Sequence, residues 1–181
     1  MGRLLTMRWS RGVYCAARGG TIMGAKADAL AKQFEAKVQE ATSVLEKLSD
    51  ADWKKVTAAE KWPVGVTAHH VAMGHAGIAG LLKSVASGQH KASMTMDDLH
   101  AMNALHAKDF ANVSKAETVA LHKKNAAEAA AVVRGFDDAA LARSAELLKG
   151  MPPMTAEQAV SGVLINHIED HLGSIRKTVS A

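Results

Sequence analysis

The chain downstream of residue 25 repeats its apolar side chains with the period of an α-helix. In the first such segment the apolar positions are separated by 4, 4, 3, 4 and 3 residues; they are Leu30, Phe34, Val38, Ala41, Leu45 and Leu48. This spacing lines up one face of a helix with 3.6 residues per turn, and the opposite face carries charged side chains. The pattern predicts an amphipathic helix that buries one face against other helices.

Three further helices are predicted from their start signals. The second opens at Trp62-Pro63, where proline suits the first turn because its missing N–H needs no partner there. The third and fourth each begin with a capping-box pattern, in which two side chains three residues apart satisfy free backbone N–H groups. These pairs are Ser114 with Glu117 and Thr155 with Gln158. The predicted ranges are about 62–88, 114–135 and 155–179.

The composition favours the same fold class. The 181 residues suffice for one domain with a real core, and they are 48% hydrophobic but only 4% aromatic, a mixture that suits closely packed helices. We therefore predict an all-α four-helix bundle with a longer connection between helices two and three, at 89–113, that contains a short helix over about 97–110. Gly74, Gly77 and Gly80 are expected to let a neighbouring helix approach the second helix closely.

The basic charge of the chain is confined to its beginning. Residues 1–20 contain four arginines and no acidic residue, and removing these four leaves 18 basic residues against 18 acidic ones. The rest of the chain is formally neutral and has no basic stripe interleaved with aromatic residues. Because phosphate contacts need clustered Lys and Arg, we expect no nucleic-acid binding.

Residues 1–25 are expected to be an N-terminal leader that is disordered or dispensable, and residues 26–181 to be the bundle domain. The arginines interrupt any apolar run long enough for an export signal, so a transit peptide or an extension upstream of Met23 both remain open. No segment is apolar enough to span a membrane, and we expect a cytoplasmic protein. The one cysteine is Cys15, so thiol chemistry in the bundle would need a thiol from outside.

Two of the nine histidines stand out because they share an apolar helical face. His167 and His171 are four residues apart, which separates them by about 40° around the helix axis and about 6 Å along it. A buried neutral histidine needs partners for both ring nitrogens, and a divalent cation can accept one lone pair from each ring. The spacing alone leaves metal binding and a satisfied structural pair equally open.

On the second helix the apolar neighbours select His70 as the inward histidine. His69 and His75 point about 100° and 140° away from it. The four remaining candidates lie in polar surroundings and are expected to be solvated; they are His90, His100, His106 and His122. The sequence contains no Glu-x-x-His and no His-Glu-x-x-His, so a site in this bundle should hold a single ion mostly by imidazole.

Two motifs of the chain resemble those of the DinB-like family, the damage-inducible metal-binding four-helix proteins. Trp62-Pro63-Val64-Gly65 stands eight positions before His70, as the corresponding entry motif does in that family. The family's last helix carries His-x-x-x-His-x-Gly-Gln followed by a hydrophobic residue, and here His167 to Ile175 matches this pattern except that Ser174 replaces the Gln. The resemblance covers about residues 26–179, and the Ser174 departure concerns the surroundings of the ligands or a subunit contact.

The resemblance implies that His70, His167 and His171 hold one divalent metal, such as Zn, Ni or Fe, with water in the remaining positions. Family members with assigned activity are thiol-dependent transferases and isomerases, so it also implies a low-molecular-weight thiol, a small-molecule substrate and a homodimer. A metal-dependent hydrolase, a non-enzymatic metal-binding stress protein and a scaffold with three satisfied core histidines stay open. Glu169 and Asp170 adjoin the ligands but should turn away from them, so no general base can be named.

Overall fold

The structure is a computed structural model that describes residues 24–180, and the predicted leader with Cys15 lies almost entirely outside them. In chain order its elements are α1 (Ala25–Lys47), α2 (Asp50–Lys54), α3 (Val64–Ala86), α4 (Met96–Asp109), α5 (Lys115–Arg134), α6 (Asp138–Ala142), β1 (Ser144–Ala145), β2 (Met154–Thr155), α7 (Ala156–Ala159), the π-helical segment Val160–Ile165 and α8 (Asn166–Val179).

The predicted all-α four-helix bundle is confirmed. Its long members are α1, α3, α5 and a C-terminal rod in which α7, the π-helical segment and α8 follow one another without a break. The short helix in the connection is present as α4, which Thr95 and Asp98 cap reciprocally. The predicted pairs at Ser114 and Thr155 also open α5 and α7, since each hydroxyl accepts a hydrogen bond from the backbone N–H three residues later; only the Thr155 pair is a reciprocal capping box.

Several small elements were not predicted. α2 and α6 have five residues each, and β1 pairs with β2 over only two residues on either side of the Met151–Met154 break. Elements this short contain too few residues for periodicity to reveal them. The π-helical segment has the sequence VSGVLI and adds one residue to its turn, which changes the angle at which α8 presents its side chains.

The core fills the space between the four long members. Its largest buried side chains come from all of them and include Phe34, Leu82, Val133, Leu164 and Ile168. A second, smaller cluster surrounds Trp53 and Ile175 at the end of the bundle where α3 begins. The site described below lies near this end, at the first turns of α3.

The expectation for the three glycines of α3 is right only for Gly74. A Cβ atom at Gly74 would come within 2.5 Å of Cε1 of His167, so the missing side chain permits a close contact between α3 and α8. A Cβ atom at Gly77 or Gly80 would meet nothing within 4 Å. Both positions are exposed to solvent, and neither brings helices together.

Among the helices of residues 24–180, none combines the length and the apolar character that crossing a membrane would require.

Candidate metal centre

The three histidines singled out from the sequence lie together in the fold. His70 extends from α3, and His167 and His171 extend from the first two turns of α8. The ring centroids are 4.9 Å apart for His70 and His167, 5.1 Å for His70 and His171, and 4.7 Å for His167 and His171. One nitrogen of each ring lies within 4.8 Å of a nitrogen of both other rings.

Local structure explains why two of these rings can meet across the helix interface. The ring of His167 rests against the backbone of Gly74, where any larger residue would displace it. This contact brings Nε2 of His167 to 3.0 Å from Nε2 of His70. A single hydrogen bond and a shared cation would each produce such a separation.

A carboxylate that the sequence analysis missed completes the group. Nδ1 of His171 lies 2.8 Å from Oε1 of Glu60, and the hydroxyl of Ser174 donates a hydrogen bond of 2.6 Å to Oε2 of Glu60. Ser174 is the position at which this chain departs from the family pattern. Its hydroxyl therefore acts on the surroundings of His171, and the ligand set itself is unaffected.

Glu60 is held by a tight turn just before α3. The turn closes with backbone hydrogen bonds from Lys61 N–H to the Thr57 carbonyl and from Thr57 N–H to the Trp62 carbonyl. Lys61 has φ of 63°, a left-handed conformation that costs a residue with a Cβ about 1 kcal/mol or more. Nothing in the periodicity pointed to Glu60, because it lies outside any helix and becomes a neighbour of His171 only through the fold.

Burial keeps two rings of the group, those of His70 and His167, neutral. Burial, followed by the charges of His171 and His106, lowers the pKa of His70 to about 4. Burial, followed by His171 and His70, lowers the pKa of His167 to about 3. Burial raises the pKa of Glu60, but hydrogen bonds from Ser174, Thr57 and His171 outweigh it and leave that pKa below its usual value. At neutral pH the group therefore combines the uncharged imidazoles of His70 and His167 with the carboxylate of Glu60.

These residues fit a divalent cation. Because Glu60 accepts a hydrogen bond from Nδ1–H of His171, Nε2 is the nitrogen of that ring left to bind a cation, the usual arrangement of a metal-ligating histidine backed by a carboxylate. Two nitrogens bound to a tetrahedral zinc lie roughly 3.3 Å apart, close to the 3.0 Å between His70 and His167. Nδ1 of His167 is buried and has no hydrogen-bond partner within the described residues.

Aromatic rings pack beside the three histidines. The ring edges of Trp62 and His106 meet His70 at centroid distances of 5.5 and 5.4 Å. His106 also stacks on His69, and His69 stacks on Phe110 at 4.2 Å. α4 supplies His106 and Phe110, so this short helix covers one side of the histidine group. His106 was expected to be solvated, and that prediction is wrong because α4 folds back onto α3.

A cleft of about 480 Å³ lies beside this aromatic layer. It is lined by His69 and Phe110 together with polar residues of the α4–α5 connection, among them Lys108 and Asn112. None of the three converging histidines lines it. His69 lines the cleft, and His106 contacts both His69 and His70.

Two further predictions about histidines are wrong. His70 was selected as the inward histidine of α3, yet His75 is fully buried and His69 is 7% exposed, whereas His70 is only partly buried. His122 was expected to be solvated, but it is fully buried. The polar residues near His122 in sequence occupy the other face of α5, while its own face packs on α1 and α3.

The predictions for four other polar residues agree more closely with the structure. His100 is exposed, and His90 is half-buried with Nε2–H donating a 3.3 Å hydrogen bond to the Leu147 carbonyl. Glu169 and Asp170 are both exposed, and Glu169 forms an ion pair of 2.7 Å with Lys37. They turn away from the three histidines as predicted.

Comparison with solved structures gives a match to a point mutant of mycothiol-dependent maleylpyruvate isomerase. The two chains share 10% sequence identity and superpose with a TM-score of 0.67 over 82% of this chain and 60% of that one. At this identity the likeness establishes the fold, and the present chain spans about three fifths of the length of that enzyme.

The sequence comparisons give a family. No curated protein matches the chain. The family model described as the DinB superfamily matches residues 33–175, a range that begins in α1, ends in α8 and includes all three converging histidines. The chain therefore belongs to the DinB superfamily.

Proposed function

We propose that this protein binds one divalent metal ion through His70, His167 and His171 and catalyses a thiol-dependent transfer or isomerisation of a small molecule. The observation that carries the proposal is the convergence of three imidazoles from two helices, one of them hydrogen-bonded to a partly buried carboxylate. Imidazole ligands suit Zn, Ni and Fe, so the metal is proposed as one of these.

Three protein ligands are typical of catalytic metal sites, because such sites keep a coordination position open for water or substrate. A metal held there would act as a Lewis acid and lower the pKa of a bound thiol. The protein itself contributes orientation. Ser174 holds Glu60, Glu60 holds the ring of His171 with Nε2 toward the other two histidines, and Gly74 gives the ring of His167 its place.

The aromatic layer limits the access of water to the three histidines. Trp62 and His106 cover the ring of His70, and burial keeps His70 and His167 uncharged at neutral pH. A thiolate formed in this environment would be poorly solvated and therefore reactive. The cleft beyond His69 and His106 offers space for a bound small molecule next to the site.

The proposal of a thiol rests on two observations. Residues 24–180 contain no cysteine, so this part of the chain supplies no sulfur nucleophile of its own. In addition, the structurally similar protein is named as a mycothiol-dependent isomerase. The homodimer and the cytoplasmic location expected from the sequence remain expectations.

Two other functions are compatible with the same metal site. Hydrolysis would need a base to activate water, but Glu60, the carboxylate behind His171, is already hydrogen-bonded to His171 and Ser174. This engagement favours the thiol-dependent reaction over the hydrolase. It is equally compatible with a non-enzymatic metal-binding protein, which remains the second candidate.

An activity assay separates these functions. Protein reconstituted with zinc, nickel or iron is incubated with glutathione, bacillithiol or mycothiol and a panel of electrophilic substrates. We expect a thiol-dependent rate that is lost in His171→Ala and kept in His100→Ala, a change to an exposed histidine of α4. A rate that survives His171→Ala would contradict the mechanism, and bound metal without any thiol-dependent rate would favour the non-enzymatic protein.

A further inference from the structure

A second group of histidines lies deeper in the bundle, behind the proposed metal centre. His75 of α3 and His122 of α5 are both fully buried. Nε2 of His75 is 3.0 Å from Nδ1 of His122, and Nε2 of His122 is 3.4 Å from the carbonyl oxygen of Val38 on α1. The rings thus connect three helices, and none of the three atoms they use faces solvent.

The Val38 carbonyl determines which ring nitrogens of His122 and His75 carry a hydrogen. A carbonyl oxygen can only accept, so Nε2 of His122 carries a hydrogen and its Nδ1 has the lone pair. Nδ1 of His122 must then accept from Nε2–H of His75. Because burial, followed by His122 and His167, lowers the pKa of His75 to about 2, this ring is neutral and its Nδ1 also has a lone pair. That Nδ1 atom is buried and has no partner within residues 24–180.

The hydrogen-bond donor that would pair with Nδ1 of His75 belongs to His167. If Nε2 of His167 binds metal, its Nδ1 carries a hydrogen, and this nitrogen too is buried without a partner in the described part of the chain. The ring of His167 lies against Gly74, the residue next to His75 on α3. One buried orphan donor and one buried orphan acceptor therefore occur on neighbouring residues of the α3–α8 interface.

We propose that His75 is a positioning residue for His167, with His122 and the Val38 carbonyl setting its tautomer. The inference rests on the proposed metal site. In this arrangement Nδ1 of His75 accepts from Nδ1–H of His167, through a small rotation of the rings or one bridging water. The hydrogen-bond series runs from His167 through His75 and His122 to Val38, and every ring in it has one donor and one acceptor.

This role predicts a measurable effect on metal binding. Residues that hydrogen-bond to a metal-ligating histidine fix its tautomer and orientation, and their loss commonly weakens metal affinity 10- to 100-fold. His75 would serve His167 as Glu60 serves His171. The third ring, His70, is instead confined by the edges of Trp62 and His106.

The intact protein provides the first test. Nitrogen-15 NMR of the imidazole rings distinguishes the two neutral tautomers in the metal-free and the zinc-loaded chain. We expect His75 and His122 as Nε2–H tautomers in both states, and His167 as the Nδ1–H tautomer with a slowly exchanging proton when zinc is bound. An Nδ1–H tautomer of His75 in the zinc-loaded protein would overturn the proposal.

Substitutions provide the second test. Zinc affinity, measured by competition with a chromophoric chelator, should fall about 10- to 100-fold in His75→Leu. The matched control is Asn125→Leu, because Asn125 is also buried on α5 and links it to α3 by a 2.9 Å hydrogen bond from Nδ2 to the Ala72 carbonyl. That variant should bind zinc within about threefold of wild type. Equal losses in both variants would indicate a merely structural role and overturn the proposal.

Zinc binding by the wild-type chain separates the role of His75 from the existence of the metal centre. A wild-type chain that binds no zinc would overturn the metal centre and this inference with it. A wild-type chain that binds zinc, together with a His75→Leu chain of equal affinity, would overturn only the role of His75.

Discussion

The two histidine groups of this bundle share helix α3 but differ in what they connect to. In the His75–His122 pair a carbonyl terminates the group, and each hydrogen bond has a defined donor and acceptor. In the triad of His70, His167 and His171, two Nε2 atoms face each other at 3.0 Å and a carboxylate stands behind the third ring. In the pair, the rings are therefore linked by one series of hydrogen bonds. In the triad, nitrogens of three rings instead face one another.

If the triad holds a metal as proposed, the difference indicates which surroundings suit a histidine to be a ligand. A carbonyl such as that of Val38 orders a ring but adds no charge, and the ring stays a neutral structural element. A carboxylate such as Glu60 orders a ring and also makes it more basic, which favours a cation on its other nitrogen. The contrast between the pair and the triad can be tested with acid and with substitutions.

Lowering the pH should have the largest effect on the free energy of unfolding, because both groups contain histidines that are neutral in the fold. The folded-state pKa values of His70, His167 and His75 are about 4, 3 and 2, below the 6.5 of an unfolded histidine. The unfolded chain therefore takes up protons first as pH falls, so stability is complete above about pH 6.5 and declines below it. Each of the three histidines should remove up to about 1.4 kcal/mol of unfolding free energy per pH unit.

Urea unfolding of the metal-free protein between pH 7 and pH 4 would check this expectation. His75→Leu should show a shallower decline than wild type, and the exposed-site variant His100→Leu should follow the wild-type curve. A wild-type stability that is constant down to pH 4 would contradict the neutral, buried state assigned to these rings.

Glu60→Gln tests the carboxylate behind the triad. The amide can still accept from Nδ1–H of His171, but it carries no charge, so metal affinity should fall about 10- to 100-fold. The matched control is Glu169→Gln, which changes an exposed carboxylate on α8 that pairs with Lys37. Isothermal titration with zinc would compare them, and equal affinity of Glu60→Gln and wild type would show that the charge of Glu60 is not needed.

Substitutions at two glycines of α3 should have the smallest effects, and each variant serves as the control for the other. Gly77→Ala adds a methyl group in open space within a helix and should stabilise the protein by about 0.5–1 kcal/mol without changing metal binding. Gly74→Ala places the same methyl group against the ring of His167 and should weaken metal binding. Thermal unfolding and zinc titration of both variants would check this, and identical behaviour of the two would contradict the close contact at Gly74.

Much of this architecture could be predicted from the sequence because its signals are local and periodic. The capping patterns at Ser114 and Thr155 and the apolar spacing of α1 indicate where helices begin and which face they bury. The spacing of His167 and His171 likewise places both rings on one face. These features depend on residues within a turn or two of each other, which is the range over which helical geometry acts.

The parts that the sequence did not reveal depend on contacts between distant residues. Glu60 reaches His171 over 111 positions, and His75 reaches His122 over 47. His122 lies beside Lys123 and Lys124, so its sequence neighbours indicate solvent although the packing of α5 buries it. The family motifs located the three candidate ligands, but neither Glu60 nor the His75–His122 pair belongs to those motifs.

Metal content tests the central claim most directly. Protein produced without an affinity tag and purified without a nickel column would be analysed for metals after incubation with zinc, nickel or iron and dialysis. The account predicts about one ion per chain in wild type and almost none in the double variant His167→Ala/His171→Ala. A wild-type chain without metal, or a double variant that retains the same amount, would contradict it.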